Sequence, residues 1–338
     1  MNNKQKKVLI TGGAGFIGSH LAEALINMGF QVRVLDNLST GVISNLDAIK
    51  DSPLFEFIYG DIREIDAVRA AVLGVDTIYH FAAAVGVRLI ILDPIRTIET
   101  NVHGTENILK VAHPNIRMIL ASTSEAYGKN DNITFSENAD SLIGPSINSR
   151  WSYAVSKLVD EFLALAYWKK NKVKVTIVRL FNTVGPRQIG HYGMVVPRFI
   201  TQALANNPIT VYDDGNQTRC FTHVSDVVTA LIKLVECEEA IGQVVNIGSK
   251  NRISIKDLAE KIRQMTGSSS KIDFIPYSEA YESGFEDIRD RTPDTSKLKS
   301  LTGFSPKIGL EELLTSVINY HKANFGVPLT GELKKERV

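Results

Sequence analysis

The chain has 338 residues, 44% hydrophobic and 22% charged, with a formal net charge of +1. That is ample for a large core, and too balanced for the broad electrostatic footprint of a nucleic-acid or anionic-membrane binder. No apolar run approaches the ~20 residues of a membrane span, Val8-Leu9-Ile10 is too short for a signal segment, and Cys220 and Cys237 show no metal-ligand spacing, so a cytoplasmic protein without a metal is expected.

In chain order, short apolar runs predict strands over Lys7–Thr11, Gln31–Leu35, Phe55–Tyr59, Thr77–Phe81, Arg117–Ala121 and Lys174–Leu180. Between them, helical periodicity covers Gly15–Met28, Ile65–Val72, Pro94–Ala112 and Tyr153–Lys170. Near-continuous Val/Ile/Leu strands alternating with helices predict an α/β fold, a Rossmann-type doubly wound parallel sheet covered on both faces. After residue 183 loops rich in Gly, Pro and Asn break the pattern, which predicts a smaller α/β lobe built from C-terminal insertions. Val244–Ile247 is expected to return to the sheet. The expected division is 1–182 plus about 216–249 for the nucleotide domain, about 183–215 plus 250–330 for the second lobe, and a charged tail over 331–338.

The first loop carries the cofactor signature. Strand Val8–Thr11 runs into Gly12-Gly13-Ala14-Gly15-Phe16-Ile17-Gly18 and then a helix. Glycines there permit a tight turn and let a pyrophosphate approach the helix N-terminus, so Gly12, Gly15, Phe16, Ile17 and Gly18 are expected to hold a dinucleotide. Asp36, about 20 residues on at the end of the second strand, is placed to accept from both ribose hydroxyls and to repel a 2′-phosphate, which favours NAD over NADP. Strand alternation should turn Arg33 away from that pocket. Asn37, Asp61 and Ile62 are expected near the adenosine, and the small residues Ala82 and Ala83 where the cofactor passes.

Downstream, Ala121-Ser122-Thr123-Ser124-Glu125 ends the fifth strand, where ligands of such sheets collect. Tyr153 and Lys157 follow, four residues apart on one helix face. A free phenol titrates near pH ~10. A cation about 4 Å away contributes roughly 1–4 kcal/mol, enough to lower that by up to about three pH units. A Tyr153 so placed can act as a base on a hydroxyl, activated by Lys157, while the pair taken alone is equally an ordinary Tyr and Lys on a surface helix.

These motifs, with Asn101-Val102-His103-Gly104-Thr105, Arg179-Leu180-Phe181-Asn182-Thr183-Val184-Gly185-Pro186-Arg187, Asp214–Arg219 and Arg291-Thr292-Pro293-Asp294, resemble the extended short-chain dehydrogenase/reductases. The resemblance spans nearly the whole chain and points to their nucleotide-sugar epimerases, dehydratases and decarboxylases. It implies that Thr123 hydrogen-bonds the hydroxyl being oxidised, and that Lys157 also holds the nicotinamide ribose. Asn182, Arg187, Arg219 and Arg291 are implied to bind a UDP-sugar. The shared first step is oxidation at C4 of the sugar.

Thr123-Ser124-Glu125 looks most like the UDP-glucuronate decarboxylases, or UDP-xylose synthases. Dehydratases usually carry an Asp where Ser124 stands, and simple 4-epimerases no carboxylate at Glu125. The resemblance thus implies decarboxylation of a UDP-uronic acid, with Ser124, Glu125 and Arg291 at the C5/C6 end and Arg150 either a carboxylate clamp or a packing residue beside Trp151. Ala84-Val85-Gly86-Val87-Arg88 departs from the UDP-xylose synthase loop, which leaves open an N-acetyl group at C2 or a UDP-sugar 4-epimerase. A non-catalytic NAD-binding scaffold is the remaining alternative. Extra apolar residues on Pro94–Ala112 and Tyr153–Lys170 (Ile95, Ile98, Val102, Ile108; Phe162, Leu163, Leu165, Tyr167, Trp168), paired as in the family, imply a homodimer through a four-helix bundle.

Overall fold

A computed structural model describes residues 6–86, 90, 92–130, 134–190, 193–280 and 288–324. Val87 and Arg88 of the Ala84–Arg88 segment, and the expected charged tail, lie outside them. Fifteen named strands run β1 (Lys7–Thr11), β2 (Gln31–Asp36), β3 (Phe55–Tyr59), β4 (Thr77–His80), β5 (Arg117–Thr123), β6 (Thr134–Phe135), β7 (Lys174–Leu180), β8 (Thr183–Val184), β9 (Ile209–Tyr212), β10 (Thr218–Cys220), β11 (Thr222–His223), β12 (Val244–Ile247), β13 (Arg252–Ser254), β14 (Ile272–Ile275) and β15 (Asp290–Pro293). The helices are α1 (Phe16–Asn27), α2 (Ile65–Val72), α3 (Pro94–Val111), α4 (Ser152–Asn171), α5 (Val195–Leu204), α6 (Val224–Glu236), α7 (Ile255–Thr266), α8 (Tyr277–Ala280), α9 (Ser296–Thr302) and α10 (Leu310–Ala323).

Seven parallel strands form the main sheet in the order β12-β7-β5-β4-β1-β2-β3. The period of two along β1 explains its covering: Val8 and Ile10 enter one apolar cluster with α1 and α6, while Leu9 enters another with α2 and α3. A fully buried Leu or Ile contributes about 1.5–3 kcal/mol, so both faces must be closed. The chain moves outward from β1 through β2 to β3, then returns to β4 on the other side of β1. That reversal opens a crevice at the carboxyl ends of β1 and β4. Val244–Ile247 does return, pairing with β7 at the sheet edge.

A second cluster of elements packs α5, α7 and α10 around Phe199, Ile209, Leu258 and Leu313. Its four-stranded sheet, in the order β13-β10-β15-β6, recruits β6 from the N-terminal half of the chain. Two residues carry too little periodicity to be read as a strand. What fixes β6 is Phe135, fully buried and stacked on Tyr127 at 4.8 Å between ring centroids. Cys220 and Cys237 are free thiols.

Under the crevice, His80 is buried, its Nδ1 2.7 Å from Thr11 Oγ1 and its Nε2 3.1 Å from Thr105 Oγ1. Burial, aided by the charge on Lys157, pushes the imidazole down to about 3. Unfolded histidine takes up a proton below about pH 6.5 while the folded ring stays neutral, so stability falls as pH drops from 6.5 towards 3. Between pH 7 and pH 5 the protein should lose about 2 kcal/mol more than its His80→Asn variant. Denaturant melts at the two pH values measure this, and equal losses would rule out the assignment.

Candidate active site

The glycines of the first loop are required by contacts as well as by turn geometry. Gly12 has φ +70°, and a Cβ on it would lie 2.7 Å from the backbone nitrogen of Ala82. A Cβ on Gly18 would lie 2.4 Å from the carbonyl oxygen of Gly12. Gly15 caps α1 with no side-chain acceptor, leaving the first-turn amides to an anion in the crevice. Phe16 and Ile17 begin that helix on the crevice wall, and Ala82 and Ala83 also line it. The crevice encloses about 1620 Å³.

Asp36 stands at the end of β2, its carboxylate accepting from the backbone N–H groups of Ala14 at 2.9 Å and Leu38 at 2.8 Å. Burial raises its pKa against the pull of those two bonds. Arg33 points away as expected, bonding the carbonyls of Ala71 and Leu73 beyond the sheet. Asn37 and Ile62 line the crevice, whereas Asp61 does not. The Asp61 carboxylate is held by Arg63 and Asn37, which keeps it down at about 2. Its contribution is to hold Asn37 in place, at 2.9 Å. A glycine cradle, an uncapped helix start and a buried carboxylate at the second strand suit a dinucleotide.

The reacting end is built by β5 and α4. Thr123 ends β5 and caps the following 3₁₀ turn, its hydroxyl accepting from the Glu125 N–H at 3.2 Å. Ser124 is buried in that turn. Tyr153 and Lys157 reach the same crevice from α4. The sequence-based expectation that Lys157 lowers the Tyr153 phenol is not met in this structure. Burial first, and the Glu125 carboxylate second, raise the phenol, with the Thr123 hydroxyl pulling the other way. Lys157 instead donates to Asp160 at 2.7 Å. The carboxylate three residues on shares the helix face and answers the ammonium more strongly than the phenol does.

Glu125 is held by two guanidiniums. Arg150 makes a short charged bond to its Oε2, and Arg291 lies 3.7 Å from Oε1. Arg150 is buried and sits 5.9 Å from the Trp151 ring, as its packing role requires, and the carboxylate it holds here is that of Glu125.

A smaller cavity of about 220 Å³ adjoins, sharing Glu125, Tyr153, Asn182 and Arg291 with the crevice and adding Arg219. Arg219 and Arg291 are register partners across β10 and β15. The Arg219 guanidinium donates to the carbonyls of Thr218 and Arg289, at 2.8 and 3.0 Å. Asn182 takes φ +29° and donates to the Cys220 carbonyl at 3.1 Å. Arg187 pairs with Glu23 of α1 at 2.5 Å and lines the larger crevice with Asn182 and Arg291, but not the smaller cavity. Arg219 lines only the smaller cavity, so Asn182 and Arg291 are the two expected substrate residues common to both. Sequence reading missed Tyr212 and Tyr277 in this cavity, and Arg198, which lies over the Tyr212 ring at 4.1 Å. Isolated aromatics in short elements carry no spacing signal that could have found them.

The family model described as GDP-mannose 4,6 dehydratase matches residues 9–317. The chain belongs to that family. Its relatives include the UDP-N-acetyl-alpha-D-glucosaminuronate decarboxylase of Bacillus cytotoxicus, 42% identical over 320 residues, covering 94% of this chain and 98% of that protein. UDP-glucuronic acid decarboxylase 1 of Xenopus tropicalis is 39% identical, covering 95% of this chain and 74% of that one. Among solved structures, the UDP-glucuronic acid 4-epimerase of Bacillus cereus, in complex with UDP-glucuronic acid and NAD, superposes with a TM-score of 0.85 at 31% identity. That match covers 94% of this chain and 100% of the epimerase. The epimerase shares the Rossmann-type doubly wound architecture, and the chain is an NAD-dependent enzyme of nucleotide-sugar modification.

Proposed function

We propose that the protein is an NAD-dependent decarboxylase of a UDP-uronic acid, UDP-glucuronate or its 2-acetamido analogue, yielding a UDP-pentose. The observation that carries this reading is Glu125, held between Arg150 and Arg291 in the turn beside Tyr153. The names of the relatives agree with it. Gly12, Gly15, Gly18 and Asp36 would hold the dinucleotide, with Asn37 and Ile62 serving its adenosine end and Ala82 and Ala83 lining the same crevice. NAD, when bound, supplies the hydride acceptor and donor at C4.

Tyr153 takes the proton of the C4 hydroxyl, and Thr123 holds that oxygen. Lys157 would hold the nicotinamide ribose when NAD is bound. A ketone at C4 makes the C6 carboxylate that of a β-keto acid. The C5–C6 bond then breaks with its electrons delocalised onto the C4 oxygen, which the Thr123 and Tyr153 hydroxyls stabilise. Glu125 relays a proton to C5, Ser124 and Arg291 attend the carboxylate region, and Asn182, Arg219 and Arg291 hold the UDP portion, as permanently charged forks suit a pyrophosphate.

Incubation with UDP-glucuronate, its N-acetylamino analogue and UDP-glucose, followed by NMR, tests the reading. A UDP-pentose with CO2 release is expected. The likeness to a 4-epimerase favours a second outcome, a C4-inverted sugar with all carbons retained, and that product would overturn decarboxylation.

The reading includes a homodimer. Packed side by side, α3 and α4 leave Ile95, Ile98, Val155, Val159 and Phe162 exposed, the last at 72%. Of the apolar residues expected there, Ile108 is buried, and Leu163, Leu165, Tyr167 and Trp168 pack on the core, which narrows the stripe. Five exposed apolar side chains at helical spacing suit a second copy's matching helices in a four-helix bundle. A dimer is expected by sedimentation at micromolar concentration, and a Phe162→Glu monomer. A wild-type monomer would remove the claim.

A further inference from the structure

Lys157 has a neighbour that the proposed reaction does not use. Its ammonium lies 2.7 Å from Asp160 Oδ2, and the two side chains are 3% and 0% exposed. The adjacent carboxylate on α4, Glu161, is committed elsewhere: Arg179 of β7 binds it through two nitrogens, and Ser122 of β5 through a third bond. From the other elements, His80 of β4 and Thr105 of α3 face the pair, the imidazole held neutral by burial. Around the phenol, the Glu125 and Asp160 carboxylates oppose loss of the Tyr153 proton, while Arg150 and the Thr123 hydroxyl favour it. An isolated ammonium in this place would act on Tyr153 as a full charge. Paired with Asp160 it acts as a dipole, whose field falls off faster than that of a lone charge.

We propose that Asp160 is a positioning residue that balances the charge of Lys157, so that Tyr153 keeps its proton until a bound oxidised dinucleotide brings a further positive charge into the crevice. Base activation is thereby coupled to cofactor occupancy. An enzyme that takes a proton and a hydride from the same carbinol gains from this, since a base ionised before the hydride acceptor arrives does no chemistry. The inference rests on Tyr153 being the base in the proposed reaction, and on NAD as its cofactor.

The test measures protons released when NAD binds, by calorimetry in buffers of different ionisation enthalpy across a pH series, with the Tyr153→Phe signal subtracted. No substrate or turnover is involved, so the result stands apart from the identity of the product. Asp160→Asn keeps the shape and an oxygen near the ammonium but removes the charge. Asp160→Ser removes the charge with a different shape, which covers the case of one variant folding poorly. In both, the midpoint of proton release should move down by at least about half a pH unit. The acid limb of kcat/KM should move in the same direction. Asp160→Glu, which keeps the charge, should retain the wild-type midpoint. A midpoint that stays or rises in the two uncharged variants overturns the proposal and leaves Asp160 as a buried counter-ion only.

Discussion

A Tyr153→Phe variant should lose about 10²–10⁴-fold in kcat, the usual contribution of a positioned proton acceptor. The dinucleotide should still bind with affinity close to that of the wild type. The phenol is buried and its oxygen is hydrogen-bonded by the Thr123 hydroxyl, so deleting that oxygen leaves the ring packed in place. The glycine cradle and Asp36 lie on β1, α1 and β2 and do not depend on that oxygen. Turnover assays beside calorimetric NAD titration separate the two effects. Activity within tenfold of the wild type would mean that another group takes the C4 proton, and joint loss of binding and activity would mean that the ring itself supports the cofactor.

The second large effect is on stability. Arg179→Met should destabilise the fold by about 3–5 kcal/mol, the range found when one member of a buried ion pair is removed. Arg179 donates to both oxygens of Glu161, at 2.9 and 2.7 Å, with both side chains at most 7% exposed. Ser122 donates to the same carboxylate at 2.5 Å, and the guanidinium lies 4.4 Å from the Tyr127 ring. Without Arg179 the carboxylate loses its counter-ion in a buried site between β5, β7 and α4. Replacing both partners, Glu161→Leu with Arg179→Met, should recover much of the loss, because a well-packed apolar pair needs no counter-ion. Denaturant melts of the two variants decide it. A single variant within 1 kcal/mol of the wild type would show that the pair contributes little.

Arg179 also shows what a linear reading can and cannot extract. It was legible as part of the run leading to Asn182, yet nothing at position 179 marks it as the partner of Glu161, eighteen residues earlier. Arg150 is similar. Its place beside Trp151 was visible, but its bond to Glu125 joins the start of α4 to the end of β5. Arg187 is the complementary case: the Gly185-Pro186-Arg187 motif is plain and the residue lines the crevice, but nothing in its spacing marks Glu23 of α1 as its partner. Lys157 and Tyr153 were correctly placed on one helix face, while the expected lowering of the phenol did not follow. That expectation assumed water-like surroundings and no carboxylate nearer the ammonium, and burial and Asp160 removed both conditions.

The sequence by itself determined the parallel sheet and its helices, the glycine loop, the acidic end of β2 and the Tyr153/Lys157 face. Each of these is local, expressed in a period of 2 or 3.6 residues or in a turn that admits little but glycine. Only the tertiary structure decided which charges meet: Asp160 with Lys157, Glu161 with Arg179, Glu125 with Arg150 and Arg291, and Arg187 with Glu23. It also decided that β6 belongs to the second sheet and that the phenol is held above its ordinary range. The physical reason is that pairing and desolvation depend on distance and burial in space, and for residues far apart in the chain neither is written in their spacing.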